Sequence, residues 1–217
     1  MPSPLKIAHR GMPRLAVENT LPSFALALEA GAEGLELDVH ATRDGVVVVH
    51  HDPALRDGTA IAETGAAELL RQELAPGVTI PTLAELCAMV DGRAELFVEV
   101  KGVGIEQEVL AVLDGYDGKF AIHSFDHALI SRVHAMAPHV RLGVLFEDVT
   151  PDLAALLERT GARDVWPHWS LVTPALVETA HAAGARVIPW TVNSSGEASR
   201  LAALGVDGVC GDDVRVL

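Results

Sequence analysis

Short apolar and β-branched runs recur along the chain and alternate with Ala/Leu-rich stretches of helical period. The pattern predicts strands at Leu5–His9, Leu35–Val39, Glu95–Val100, Phe120–Ser124, Arg141–Phe146, Asp164–Trp166, Arg186–Thr191 and Gly208–Cys210. Between them it predicts helices at Leu21–Ala30, Leu83–Val90, Ile105–Leu113, His127–Ala137, Pro151–Arg159, Pro174–Ala183 and Gly196–Leu204. Start signals precede several helices: Thr20 or Leu21 before Pro22, Asp126, Thr150-Pro151 and Thr173-Pro174. Gly31, Gly161, Gly184 and Gly205 stand where left-handed caps belong. Strand and helix alternating about eight times imply a parallel sheet, and over this length the arithmetic favours a (β/α)8 TIM barrel. The rival is a doubly wound open sheet, but no Gly-rich dinucleotide loop opens the chain. Val46–His50, after the Asp44-Gly45 turn signal, reads as an extra strand paired back onto the second. Residues 53–81 have weak periodicity and read as a small insertion after the second strand, within one domain spanning 1–217.

Composition narrows the function classes. The chain has 217 residues, with 16 Lys and Arg against 30 Asp and Glu, for a net charge of −14. That balance argues against nucleic-acid partners and against docking on anionic lipid. No apolar run reaches the roughly 18–20 residues of a membrane helix, and the start reads as lacking a signal peptide. The two cysteines, Cys87 and Cys210, fall in a helix and a buried strand, which reads as a reduced, cytoplasmic protein without a disulfide framework.

The predicted strands end repeatedly in polar residues, and in a parallel barrel all those ends open onto one rim. His9-Arg10, Glu36 and Asp38, His51-Asp52, Glu99 and Lys101, His123-Ser124 and Trp190 therefore converge. Alternation puts Glu36 and Asp38 on one face and Glu99 and Lys101 on one face, with Leu35, Leu37, Val39, Val98 and Val100 toward the helices. Three inward carboxylates need partners. A hard divalent cation, Mg²⁺ or Ca²⁺, supplies one; an ion-pair network with Arg10 and Lys101 is the alternative. Arg10 and Lys101 beside a cation suit phosphate. His9 and a second imidazole, His51 or its neighbour His50, suit proton transfer to and from oxygen. His123 and Ser124 read as polar pocket wall and His168 as local packing. Trp190 reads equally as a wall for the substrate's apolar part or as core. His127, His134, His139 and His181 read as surface. Glu18-Asn19-Thr20 reads as a cap for the first helix, with Glu18 buttressing the first histidine.

His9-Arg10-Gly11, Glu18-Asn19-Thr20, Glu36-Leu37-Asp38-Val39, His51-Asp52-Pro53, Ile80-Pro81-Thr82-Leu83, Glu99-Val100-Lys101, Ser124-Phe125 and Trp190-Thr191-Val192-Asn193 run in order across the chain. In this set the sequence resembles the glycerophosphodiester phosphodiesterase family. The resemblance implies a (β/α)8 barrel and hydrolysis of a small-molecule glycerophosphodiester to glycerol 3-phosphate and an alcohol. It implies His9 and His51 as the acid/base pair, choosing His51 over His50. Glu36, Asp38 and Glu99 would hold Mg²⁺ or Ca²⁺, and Arg10 and Lys101 would bind the phosphodiester. Two segments depart from the family pattern: Arg56-Asp57-Gly58-Thr59 in the insertion, and Gly211-Asp212-Asp213-Val214 at the end. Asp212 carries no assigned role. The alternatives are a lyase of the phospholipase D-like toxin type, stopping at a cyclic phosphate, and a non-catalytic binding barrel. A Schiff-base aldolase built on Lys101 is disfavoured, because carboxylates beside the amine keep it protonated.

Overall fold

The computed structural model describes residues 3–217. The chain runs through β1 (Leu5–His9), α1 (Leu21–Glu29), β2 (Gly34–Ala41), β3 (Val47–Val49), α2 (Ala66–Leu69), β4 (Glu73–Ala75), β5 (Val78–Thr79) and α3 (Leu83–Val90). It continues through β6 (Glu95–Val100), α4 (Glu106–Leu113), β7 (Phe120–Ser124), α5 (His127–Met136), β8 (Arg141–Phe146) and α6 (Leu153–Thr160). The last elements are β9 (Asp164–Pro167), α7 (Pro174–Ala182), β10 (Arg186–Val187), α8 (Ser195–Ala203) and β11 (Gly208–Gly211). Eight parallel strands pair in the order β10-β9-β8-β7-β6-β2-β1-β11. Backbone hydrogen bonds from Asp207 to Val187 (2.9 Å) and from Cys210 to Pro189 (3.0 Å) bridge the seam between β10 and β11. The result is the expected (β/α)8 barrel, its strands alternating with helices. Among the described residues, no helix is long and apolar enough to cross a membrane.

Strand alternation sorts two apolar layers. Leu35, Leu37, Val39, Val98 and Val100 join the large core between strands and helices. Ile7, Phe97, Ala121, Leu145, Trp166, Ile188 and Cys210 fill the barrel interior. That interior packing leaves the inward positions nearer the strand C-termini to the polar residues. The opposite mouth is sealed by charge. Arg186 donates to Asp164 from Nε (2.8 Å) and Nη2 (2.8 Å), and to Glu95 from Nη1 (3.1 Å) and Nη2 (2.8 Å). Asp164 is fully buried and also accepts from Arg141 (2.8 Å), so this acidic group is paired on two sides, as burial requires.

Several expected boundaries shift for local reasons. β10 ends at Val187 rather than Thr191 because Pro189 has no N–H to continue the ladder. α6 starts at Leu153, two residues later than Pro151, because the Asp152 carboxylate accepts from Ala155 N (3.1 Å) and caps it there. Thr20 does not cap α1; its hydroxyl donates to Val17 O at 2.6 Å. Asp126 and Thr173 do cap α5 and α7. β3 pairs antiparallel with β2, as the Asp44-Gly45 turn predicts. The segment 53–81 holds α2, the β4-β5 hairpin and a small apolar cluster of Leu55, Ile61, Leu69 and Ile80 on Val48. Elements this short leave no readable period.

Candidate active site

Strand register assembles the polar residues. His9 pairs in register with Glu36 on β2; Asp38, Glu99 and His123 form one row across β2, β6 and β7. A cavity of about 250 Å³ opens at the strand C-termini, lined by His9, Arg10, Glu36, His51, Glu99, Lys101, His123, Glu147, Phe125 and Trp190 among others. The sequence places seven of its eight chosen residues on that cavity; the eighth, Asp38, lies fully buried directly beneath.

The turn after β1 carries the first cluster. Arg10 adopts φ 55 and Gly11 φ 88, and a Cβ on Gly11 would lie 2.4 Å from Ser23 Oγ, so only glycine fits. Ser23 Oγ accepts from Met12 N (2.8 Å), fixing the turn against α1. Arg10 Nε then lies 3.0 Å from Asp38 Oδ2, while Nη1 donates to Glu18 Oε1 (3.1 Å). Glu18 therefore braces Arg10, not His9. Asn19 at φ 57 donates from Nδ2 to Asp38 Oδ2 (2.8 Å), which is its work in place of the expected helix cap.

Each of the two imidazoles is oriented by a carboxylate. His9 Nδ1 lies 2.8 Å from Asp212 Oδ1, and His51 Nδ1 lies 2.8 Å from Asp52 Oδ1. Because the carboxylates accept, each Nδ1 carries the proton and Nε2 is left to the cavity. Asp212 is itself held: Asn193 Nδ2 donates to its Oδ2 (2.7 Å), and Asp212 N donates to Asn193 Oδ1 (3.0 Å). Burial alone would lower the His9 pKa, but the Asp212 hydrogen bond and the Glu36 carboxylate raise it above the ordinary histidine value. Burial likewise would raise Asp212, but the hydrogen bonds from His9 and Asn193 hold it below the usual carboxylate range. His50 turns away, its Nδ1 2.9 Å from Asp52 O, and lines a neighbouring cleft beneath the insertion that His51 also borders.

The carboxylates sit deeper. Glu36, Asp38 and Glu99 are all buried. Lys101 Nζ lies 2.9 Å from Glu99 Oε1 and 3.4 Å from Asp38 Oδ1. Burial opposes charge on Lys101, yet Glu99 and Asp38 raise its pKa, so it stays protonated and is no Schiff-base nucleophile. Burial and the charge of Asp38 raise Glu99. For Asp38, burial is outweighed by Arg10 and Lys101, and its pKa is lowered. Donor atoms of Glu36, Glu99 and His123 lie within 4.8 Å of one another, a set that can hold a divalent cation. Asp38 directs Oδ2 at Arg10 and Asn19 instead, while its Oδ1 is buried without a hydrogen-bond partner.

Three contributors escape the sequence reading. Asp212 directly follows the eighth barrel strand, in the segment that departs from the resembling family. His40 continues the 36, 38 spacing of β2; buried, it lies with Nε2 3.1 Å from His51 O and fixes that loop. That period was readable. Glu147 follows β8 at the rim. Trp190 is wall rather than core: half-buried, it donates to Trp166 O (3.0 Å) and meets Phe125 edge-on at 5.5 Å. Ser124 is a buried brace, donating to Val100 O (2.9 Å). His168 packs locally on Trp169 and bonds Ser170 Oγ (2.7 Å). His127 and His134 are half-buried; His139 and His181 are exposed.

Comparison with known proteins places this geometry among relatives. The profile of the Glycerophosphoryl diester phosphodiesterase family matches residues 9–216. A glycerophosphodiester phosphodiesterase of Caldanaerobacter subterraneus subsp. tengcongensis is 32% identical over 98% of this chain and 96% of its own. One from Bacillus altitudinis is 31% identical over 94% and 93%. Among solved structures, an Oleispira antarctica phosphodiesterase in complex with the product sn-glycerol-3-phosphate superposes with a TM-score of 0.90 at 30% identity, covering 98% of this chain and 94% of the other.

Proposed function

The chain belongs to the glycerophosphoryl diester phosphodiesterase family and is a phosphodiesterase, and from that premise we propose that it cleaves small glycerophosphodiesters to glycerol 3-phosphate and an alcohol by His9/His51 acid-base chemistry. The observation that carries the reading is the pairing of each imidazole with a carboxylate at Nδ1, both rings bordering one cavity floored by acidic groups.

In this reading Arg10 and Lys101, held in place by Asp38, Glu18 and Glu99, draw the phosphodiester into the cavity. The glycerol hydroxyl next to the phosphate forms the new O–P bond as its proton passes to His9 Nε2. The P–O bond to the alcohol breaks, and His51 Nε2 supplies the proton that the leaving oxygen needs. Water then opens the cyclic phosphate with the roles reversed: His51 takes the proton from water and His9 returns one to the glycerol oxygen. Trp190 and Phe125 cover the apolar side of the substrate.

The buried carboxylates fit a divalent cation, since Glu99 is raised by burial and by its acidic neighbour, the strain a positive ion relieves. Glu36 and Glu99, with Oδ1 of Asp38, which faces Lys101 at 3.4 Å but accepts no hydrogen bond, would hold Mg²⁺ or Ca²⁺. Such an ion lowers the pKa of the attacking hydroxyl and offsets charge that develops on phosphate, an effect of several kcal/mol.

Incubation with glycerophosphocholine, with and without EDTA, tests the reading. Glycerol 3-phosphate released only when a divalent cation is restored is the expected result. Accumulation of a cyclic phosphate as the sole product would instead make the chain a lyase, and no turnover of any glycerophosphodiester would overturn the proposal.

A further inference from the structure

His123 lines the cavity, as the sequence predicts, yet its surroundings leave its polar atoms unsatisfied. The ring is fully buried, and neither nitrogen has a hydrogen-bond partner. A buried polar group left in that state is costly. The nearest carboxylate oxygen, Glu36 Oε1, lies 3.6 Å from Nε2, beyond hydrogen-bond reach. Nor is the ring free to turn and find a partner. It stacks on Trp166 with centroids 4.5 Å apart and planes 21° apart. Gly143 on the next strand makes the space for that stack, since a Cβ there would lie 3.0 Å from both His123 Cβ and Trp166 Cδ1. The chain thus holds an unpartnered nitrogen rigidly against two buried carboxylates.

We propose that His123 is a nitrogen ligand of the cation held at Glu36 and Glu99, so that this site takes a first-row transition ion such as Mn²⁺ more tightly than Ca²⁺. The inference rests on the cation-binding part of the reading above and not on the reaction. The three donors lie within 4.8 Å of one another, the span an ion with bonds of about 2.0–2.4 Å can bridge. Imidazole is a poor ligand for the hard, oxygen-seeking alkaline-earth ions and a better one for first-row transition ions, of which Mn²⁺ is the hardest and so the most stringent probe. The mixed set therefore discriminates where three carboxylates alone would not.

The test uses the metal alone. Pulsed electron paramagnetic resonance of the purified chain loaded with Mn²⁺ is expected to show coupling to an imidazole nitrogen. In His123→Gln the coupling disappears, and Mn²⁺ affinity by calorimetry falls about tenfold or more while Ca²⁺ affinity changes less. Absence of nitrogen coupling in the unaltered chain, or no Mn²⁺ binding, overturns the inference. So does nitrogen coupling that persists in His123→Gln, or an imidazolium–Glu36 ion pair whose loss leaves Mn²⁺ affinity unchanged. If His123→Gln does not fold, His9→Asn makes the assignment: retained coupling supports His123, and lost coupling transfers the ligand to His9. Nitrogen coupling without diester turnover would refute the reaction and keep the ligand; turnover without nitrogen coupling would do the reverse.

Discussion

Replacing His51 with alanine is expected to lower kcat on glycerophosphocholine by about 10²- to 10⁴-fold while the melting temperature stays within a few degrees. The rate loss follows from removal of the imidazole assigned to protonate a poor leaving group. The unchanged fold follows from its setting. The His51 side chain is about one-third exposed (35%), and its only named side-chain partner, Asp52, is 68% exposed. Its loop is fixed through the backbone, by His40 on the His51 carbonyl, so deletion of the ring leaves that contact in place. The role itself is separable from mere importance. A glycerophosphodiester with an aryl leaving group needs no proton on departure, so the His51→Ala deficit should shrink strongly with that substrate. An equal deficit on both substrates would remove His51 from the acid role.

The second large effect is expected at a residue to which the sequence assigned nothing. Asp212→Asn should reduce kcat roughly a hundredfold or more, because an amide can present its NH₂ to Nδ1 and reverse the imidazole tautomer, as carboxylate-to-amide changes do in hydrolase triads. Asp212 acts through His9 and is a positioning residue, so its pH profile is the discriminating readout. Proton acceptance requires neutral His9. With its pKa raised by Asp212 and Glu36, the rate should climb with pH through a limb lying above the ordinary imidazole value of about 6.5. Removing the Asp212 charge lowers the His9 pKa, so the limb should move to lower pH even as the plateau falls. A reduced plateau with an unmoved limb would assign Asp212 a structural part only.

Most of the barrel was legible because its strands are short apolar runs with sharp punctuation, and inward alternation at 36, 38, 99 and 101 places the polar groups correctly. The convergence of His9, Glu36, Asp38 and Glu99 follows from that alternation plus the rule that parallel strands share one rim. What the sequence hides is pairing. Nothing in the order of residues says that Glu18 goes to Arg10, that Asn19 goes to Asp38, or that His9 finds its carboxylate 203 positions away at Asp212. The last of these partners is set by the closure of the first strand against the last. His123 does line the cavity, as its strand-end position predicts, but only the three-dimensional surroundings reveal that neither of its nitrogens has a hydrogen-bond partner.

The central claim is spatial, that one phosphorus atom sits between His9 and His51 above the buried carboxylates. A crystal structure of the chain with Mn²⁺ and glycerol 3-phosphate tests it most directly, with anomalous scattering locating the ion. The account predicts the ion on Glu36 and Glu99, and the phosphate within hydrogen-bond reach of Nε2 of both histidines. Phosphate bound instead in the cleft beneath the insertion, beyond reach of His9, would contradict it.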